Sequence, residues 1–199
     1  PSGTRIYNDF AVRYNYRNPW SFVIPEVSIR NVNTFYDQDT INSNQNTNSS
    51  DEKQSVTVPQ FTLDTGLTFE KDGKYLQTLT PRAFYAYAPY RNQTGHPNFD
   101  SATASINYDQ LFSARRFYGH DRLEDNNFLT LGLSYSLFDE IGLERLKAGV
   151  GQSYYFEDRR VSLDNVADAD VDVKVLKGVV MISLSDKMLY KTGDYNILP

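Results

Sequence analysis

The residues best suited to chemistry in this chain cluster between Arg91 and Asn126. His96 and His120, the only two histidines, both lie there. A metal site needs further ligands at defined spacing, and no His-x-x-x-His pattern supplies them, so both read as solvated loop histidines. Ser113, His120 and Asp121 provide the residue types of a hydrolytic triad. No nucleophile-elbow pattern surrounds Ser113, however, and the chain is read as not an enzyme, with no catalytic, cofactor or metal residue assigned. Arg115, Arg116, Asp121 and Arg122 form two charged pairs in the same stretch. Arginine can hold phosphate or carboxylate through paired hydrogen bonds. The plainer reading is pairing with nearby Asp and Glu, as polar contacts of an outer loop.

Other polar residues stand on strands. The clearest hairpin runs from Asn127 to Phe156. Its first arm sets Leu129, Leu131, Leu133, Tyr135 and Leu137 against Thr130, Gly132, Ser134 and Ser136. The second sets Leu146, Ala148, Val150, Tyr154 and Phe156 against Arg145, Lys147, Gly149, Gly151 and Ser153. Side chains alternate across a strand, so each arm has an oily and a wet face. The pattern repeats in Thr57–Glu70, where Pro59, Phe61, Leu63, Leu67 and Phe69 oppose Gln60, Thr62, Asp64 and Thr68. In Tyr75–Tyr90, Leu79, Ala83, Tyr85 and Tyr87 oppose Thr78, Thr80 and Arg82. Arg82, Thr130, Ser134, Arg145 and Lys147 are therefore the candidates to line a lumen and meet a plug.

Eight strands are expected, roughly Thr4–Tyr16, Ser21–Tyr36, Thr57–Glu70, Tyr75–Tyr90, Asn127–Phe138, Leu143–Phe156, Asp172–Ser185 and Leu189–Ile197. Short links alternate with long ones. The short ones are Arg17-Asn18-Pro19-Trp20, Lys71-Asp72-Gly73-Lys74, Asp139-Glu140-Ile141-Gly142 and Asp186-Lys187-Met188. The long ones, about 37–56, 91–126 and 157–171, are expected on the outer side. Such alternation, with aromatics gathered near strand ends, is how a chain stitches across a membrane as a β-barrel. A soluble sandwich accounts for the two faces but not for the alternation of links. The fold class is thus all-β, an antiparallel transmembrane β-barrel of about eight consecutive strands, read as a segment of a larger barrel. Residues 1–199 form part of a single domain.

Composition bounds the rest. Among the 199 residues there is no cysteine, which removes disulfides and thiolate sites. A net charge of −5 and no Lys/Arg stripe leave nothing to track nucleic-acid phosphates. The negative mean hydropathy and the lack of any run near the roughly 20 apolar residues of a spanning helix exclude a helical membrane bundle but not a barrel. Pro1-Ser2-Gly3 looks like a cut end, and Asn196-Ile197-Leu198-Pro199 is unlike the aromatic final strand of a complete barrel.

Three ordered motifs add a resemblance. The segment Leu79-Thr80-Pro81-Arg82-Ala83-Phe84-Tyr85-Ala86-Tyr87-Ala88-Pro89-Tyr90-Arg91-Asn92-Gln93 resembles a hallmark of the LptD family of outer-membrane lipopolysaccharide-assembly proteins. So do Arg116-Phe117-Tyr118-Gly119 with Asp121-Arg122-Leu123. The third match runs through Leu129-Thr130-Leu131-Gly132-Leu133 and Glu144-Arg145-Leu146 to Gly151-Gln152-Ser153-Tyr154-Tyr155-Phe156. The match is close from about Val58 to Phe156 and one of pattern alone elsewhere. The resemblance implies a very large barrel in the outer membrane of a Gram-negative bacterium, plugged by an LptE-type lipoprotein. It implies lipopolysaccharide as cargo, received from a periplasmic bridge through an N-terminal domain absent here. It brings no catalytic residues and no cofactor. The alternatives are a small closed eight-stranded barrel acting as adhesin or anchor, and an outer-membrane hydrolase using the Arg91–Asn126 link. The first turns on whether Thr4–Tyr16 pairs with Leu189–Ile197.

Overall fold

The computed structural model describes residues 3–36, 53–93, 101–105, 107–161, 163, 176–184 and 187–195. Twelve strands, numbered in chain order, make up nearly all of its regular structure. They are β1 (Gly3–Arg13), β2 (Tyr16–Asn18), β3 (Ser21–Tyr36), β4 (Lys53–Leu67), β5 (Phe69–Lys71), β6 (Leu76–Ala88), β7 (Ala102–Thr103), β8 (Phe117–Tyr118), β9 (Asn126–Phe138), β10 (Glu144–Tyr155), β11 (Leu176–Leu184) and β12 (Lys187–Tyr195). One 3₁₀ turn, Asp109–Phe112, lies between β7 and β8.

A single antiparallel sheet runs in the order β1-β3-β4-β6-β9-β10-β11-β12, with β2 on β3 and β5 on β6. Among the described residues no ladder joins β1 to β12. Over these residues the sheet is open, unlike the closed barrel of the small-barrel alternative. The eight expected strands are all present, with shifted ends. β12 already starts at Lys187, so Lys187 and Met188 belong to the strand and not to the link. Asp186, like residues 172–175 at the expected start of β11, lies outside the described residues.

Two expected strands are interrupted, each opposite a proline. The β1–β3 register ends at Arg13↔Glu26 and the β2–β3 register resumes at Tyr16↔Val23, with no slip between. Tyr14 N–H donates to the Pro25 carbonyl at 3.0 Å, but Pro25 has no N–H to return the bond. Likewise β4 gives way to β5 where Leu67 and Thr68 face Pro81 and Thr80, the register on β6 again continuous.

The two faces of the sheet are unlike. One carries Ile6, Phe10 and Val12 of β1, Val27 and Ile29 of β3, Phe61 and Leu67 of β4, Leu131 and Leu133 of β9 and Val150 of β10, all exposed. Phe10 is 70% exposed and Leu131 57%. Water would forfeit about 1.5–3 kcal/mol for each such side chain left unburied. A contiguous apolar face of this kind marks an interaction with lipid or protein. The opposite face, with Arg30, Gln60, Thr62, Thr130 and Ser153, is buried. Hydrophobic-outside and polar-inside is the arrangement of a membrane barrel wall.

Candidate functional site

What buries the polar face is the connection from Arg91 to Asp125, expected as an outer loop. Its described residues fold back over the inner face of the sheet. The 3₁₀ turn supplies the apolar contacts: Tyr108, Leu111, Phe112 and Ala114 form one buried cluster with Phe84, Ala86 and Phe128. The sheet makes room for them with glycine. A β-carbon on Gly151 would stand 2.9 Å from a Leu111 methyl, and one on Gly132 would overlap the Phe112 ring. The sequence therefore leaves a shallow trough in β9 and β10 that the turn fills.

Three candidates from the strands meet this turn or its edge. Arg82 donates from Nε and a terminal nitrogen to the two oxygens of Asp64, each at 2.8 Å. That fork holds its guanidinium over the Phe112 ring, 4.2 Å from the centroid, a cation–π contact. Thr130, with no exposed surface, donates to the Leu111 carbonyl at 2.8 Å and shares a 2.6 Å hydrogen bond with Ser153. Ser134 hydrogen-bonds the Tyr108 hydroxyl, whose pKa is pushed up by burial. Lys147 of β10 pairs in register with Ser136 of β9, towards the tight turn. Arg145 is placed differently: the ladder slips between Glu144 and Leu146, and its guanidinium bonds Asp139 of that turn at 2.7 Å. Sequence alternation alone put it on the lumen face, but a bulge adds a residue and breaks the alternation.

The charged motif is the second anchor. Gly119, at φ +92°, takes a backbone conformation that a side chain would strain, and turns the chain back onto Ser101. Asp121 accepts from the Ser101 N–H and hydroxyl, at 3.1 and 2.8 Å, and pairs with Arg5 of β1. Leu123 exchanges two hydrogen bonds with the Gln93 amide. Glu124 accepts from Arg30 at 2.6 Å on one oxygen, and from the N–H groups of Arg116 and Phe117 on the other. Arg30 also donates to Gln60 at 2.6 Å. Asp125 holds Arg116 at 3.3 Å and the N–H groups of Arg160 and Val161. Burial, then the neighbouring Arg159, lower the Arg116 pKa, against the pull of Asp125 and Glu124. Arg115 pairs with Asp9 at 3.1 Å. Arg122 is buried, and its carboxylate neighbours Asp121, Glu124 and Asp125 are buried with it.

The triad residues are engaged elsewhere. Ser113 Oγ accepts from the Arg115 N–H, the His120 ring lies 4.2 Å from that of Tyr7, and Asp121 serves Arg5 and Ser101. No group of three or more metal-ligating side chains occurs among the described residues, and His96 lies outside them. Sequence reading missed Arg30, Gln60, Gln93, Glu124 and Asp125. Arg30 carried the signal that singled out Arg82, a lone arginine on the polar side of a strand. Glu124 and Asp125 directly follow the Asp121-Arg122-Leu123 motif.

An open antiparallel sheet, apolar on its free face and polar under a loop of its own chain, defines a stretch of transmembrane β-barrel wall. The sequence profile of the LptD family, LPS transport system D, matches residues 1–187. The chain is 67% identical to an LPS-assembly protein LptD from Acinetobacter baylyi over 191 residues, covering 96% of this chain and 23% of that protein. A relative of the same name from Acinetobacter baumannii is 71% identical over 171 residues, 86% of this chain and 21% of the relative. One from Nitrosomonas europaea is 41% identical over 169 residues, 82% of this chain and 23% of the relative. The chain belongs to the LptD family and is a segment of an outer-membrane β-barrel. It spans 17–23% of the length of the curated relatives it matches. The match also reaches beyond Val58–Phe156 into the first strands, where sequence motifs gave pattern only.

Proposed function

We propose that this segment is wall and inner lining of the outer-membrane translocon that assembles lipopolysaccharide into the outer leaflet. The observation that carries the reading is the inverted sheet of a family member, with lipid-compatible side chains on its free face and a charged, loop-covered face towards the lumen. In this reading β1 and β12 continue into the rest of the barrel. The loop covers the inner wall near one end. The wall from the loop's edge at Ser134 onward to Lys147 faces an LptE-type lipoprotein plug. Lipopolysaccharide reaches the barrel from periplasmic bridge proteins through an N-terminal domain of the whole protein. The role is transport, with the wall as a scaffold and not a reactant.

The test uses the full-length protein. Depleting it should remove newly made lipopolysaccharide from the cell surface, and photo-crosslinkers at Ser134 and Lys147 should capture a lipoprotein. Surface lipopolysaccharide unaffected by depletion would contradict the reading.

A further inference from the structure

Among the described residues, the arginines at positions 5, 13, 30, 82, 115, 116 and 145 each hold a carboxylate. Arg159 does not. It is half-buried just after β10, its guanidinium lying 4.6 Å over the Tyr155 ring. Among the described residues it has neither an acidic partner nor a side-chain hydrogen bond. Its neighbour Glu157 is occupied by Asn127 at 2.7 Å. Arg159 also borders a cavity of about 120 Å³ between the covering loop and the inner wall. Arg115, Arg116, Gln110, Ser113 and Asn126 share that lining. Arg116 spends one terminal nitrogen on Asp125 and the Val161 carbonyl, at 3.3 and 2.5 Å.

Two like charges beside one half-open cavity repel unless an anion lies between them, and guanidinium groups are fitted to phosphate oxygens. Stacking on Tyr155 holds Arg159 ready while leaving its N–H donors free, as cation–π contacts do. We propose that this cavity is a phosphate-recognition site, with Arg159 and Arg116 as its cationic walls, and that it receives a phosphate group of the transported glycolipid at the loop-covered end of the lumen. This rests on the translocon reading for the identity of the ligand. Arg159 supplies a charge with no acidic partner among the described residues and Arg116 a charge already fixed by Asp125, with Gln110, Ser113 and Asn126 as neutral polar groups beside the apolar Ala104, Leu111, Ala114 and Phe128 of the lining.

The test is photo-crosslinking from Thr103, which lines the cavity, in the full-length protein with its partner in nanodiscs. The probes are bisphosphorylated lipid A, its dephosphorylated form and inorganic phosphate. The bisphosphorylated lipid should give the adduct, and dephosphorylation or R159Q should each lower it about tenfold, the scale of a lost charge-assisted hydrogen bond. R159K should retain most of it, and R145Q, altering an arginine paired in the turn, should leave it unchanged. Should R159Q fail to fold, S113W, which fills the cavity, replaces it with the same expectation. Equal adducts from both lipids, or an adduct indifferent to R159Q and S113W, would overturn the site. Arg159-dependent binding of inorganic phosphate without any lipid adduct would overturn the glycolipid assignment. Surface lipopolysaccharide measured in parent cells separates the two readings. Export that depends on the protein while labelling ignores Arg159 defeats the site alone, and export independent of the protein defeats the translocon.

Discussion

Gly132 on β9 lies directly beneath the Phe112 ring, so close that any β-carbon there would overlap it. Arg82, the register partner of Gly132, stacks on the same ring. The covering loop is thus seated by the absence of one side chain and the fixed plane of another.

Replacing Gly132 with Val should displace the 3₁₀ turn and cost about 1–3 kcal/mol, the usual penalty of overpacking. Protease cleavage after Arg115 or Arg116 in the full-length protein should become faster than in the parent. Unchanged protection would mean that the trough does not seat the loop.

The Arg30–Glu124 pair is buried under the loop, with side chains 4% and 3% exposed. Glu124→Leu alone leaves a buried guanidinium uncompensated and should destabilise the fold by about 3–5 kcal/mol. The double variant Arg30→Met with Glu124→Leu should recover much of that loss, because both charges are then gone. Denaturant unfolding in detergent, with all four combinations, measures the difference.

Charge on the free face should be poorly tolerated. Leu131→Arg and Leu133→Arg each place a guanidinium in hydrocarbon, at a cost of about 2–4 kcal/mol near the bilayer midplane. Ser134→Arg, on the loop-covered face, should cost less, although it also displaces Tyr108. Heat-modifiability of the full-length barrel reports all three, and equal tolerance would indicate a soluble sheet.

Sidedness follows from the links. A cysteine at Asp158, beyond the end of β10, should react with an impermeant thiol reagent on intact cells. Cysteines at Gly73 and Ile141, in short links, should not, since barrels of this type keep their short turns on the periplasmic side. Labelling of Gly73 and Ile141 alone would invert the topology.

Strand positions and faces were legible because alternation is a local property: Leu129 to Leu137 announce their face whatever lies beyond them. The breaks opposite Pro25 and Pro81 were legible in principle, for a missing N–H is written in the residue type. The covering loop was not. Nothing local distinguishes Tyr108, Leu111 and Phe112 from ordinary loop apolars, and their burial depends on Gly132 and Gly151 twenty or more residues away in sequence. The partners of the charged motif were hidden for the same reason, since Arg30 and Glu124 are 94 positions apart. Arg145 misled because a bulge cannot be read from alternation.

The most direct test of the central claim is the environment of successive residues on β9 in the full-length protein in bilayers. Nitroxide labels at Leu129, Leu131, Leu133 and Tyr135 should collide readily with oxygen dissolved in lipid. Labels at Thr130, Gly132, Ser134 and Ser136 should be shielded from it, giving an oscillation with a period of two. A flat profile, or high water accessibility at Leu131 and Leu133, would contradict a wall with lipid on one side and a covered lumen face on the other.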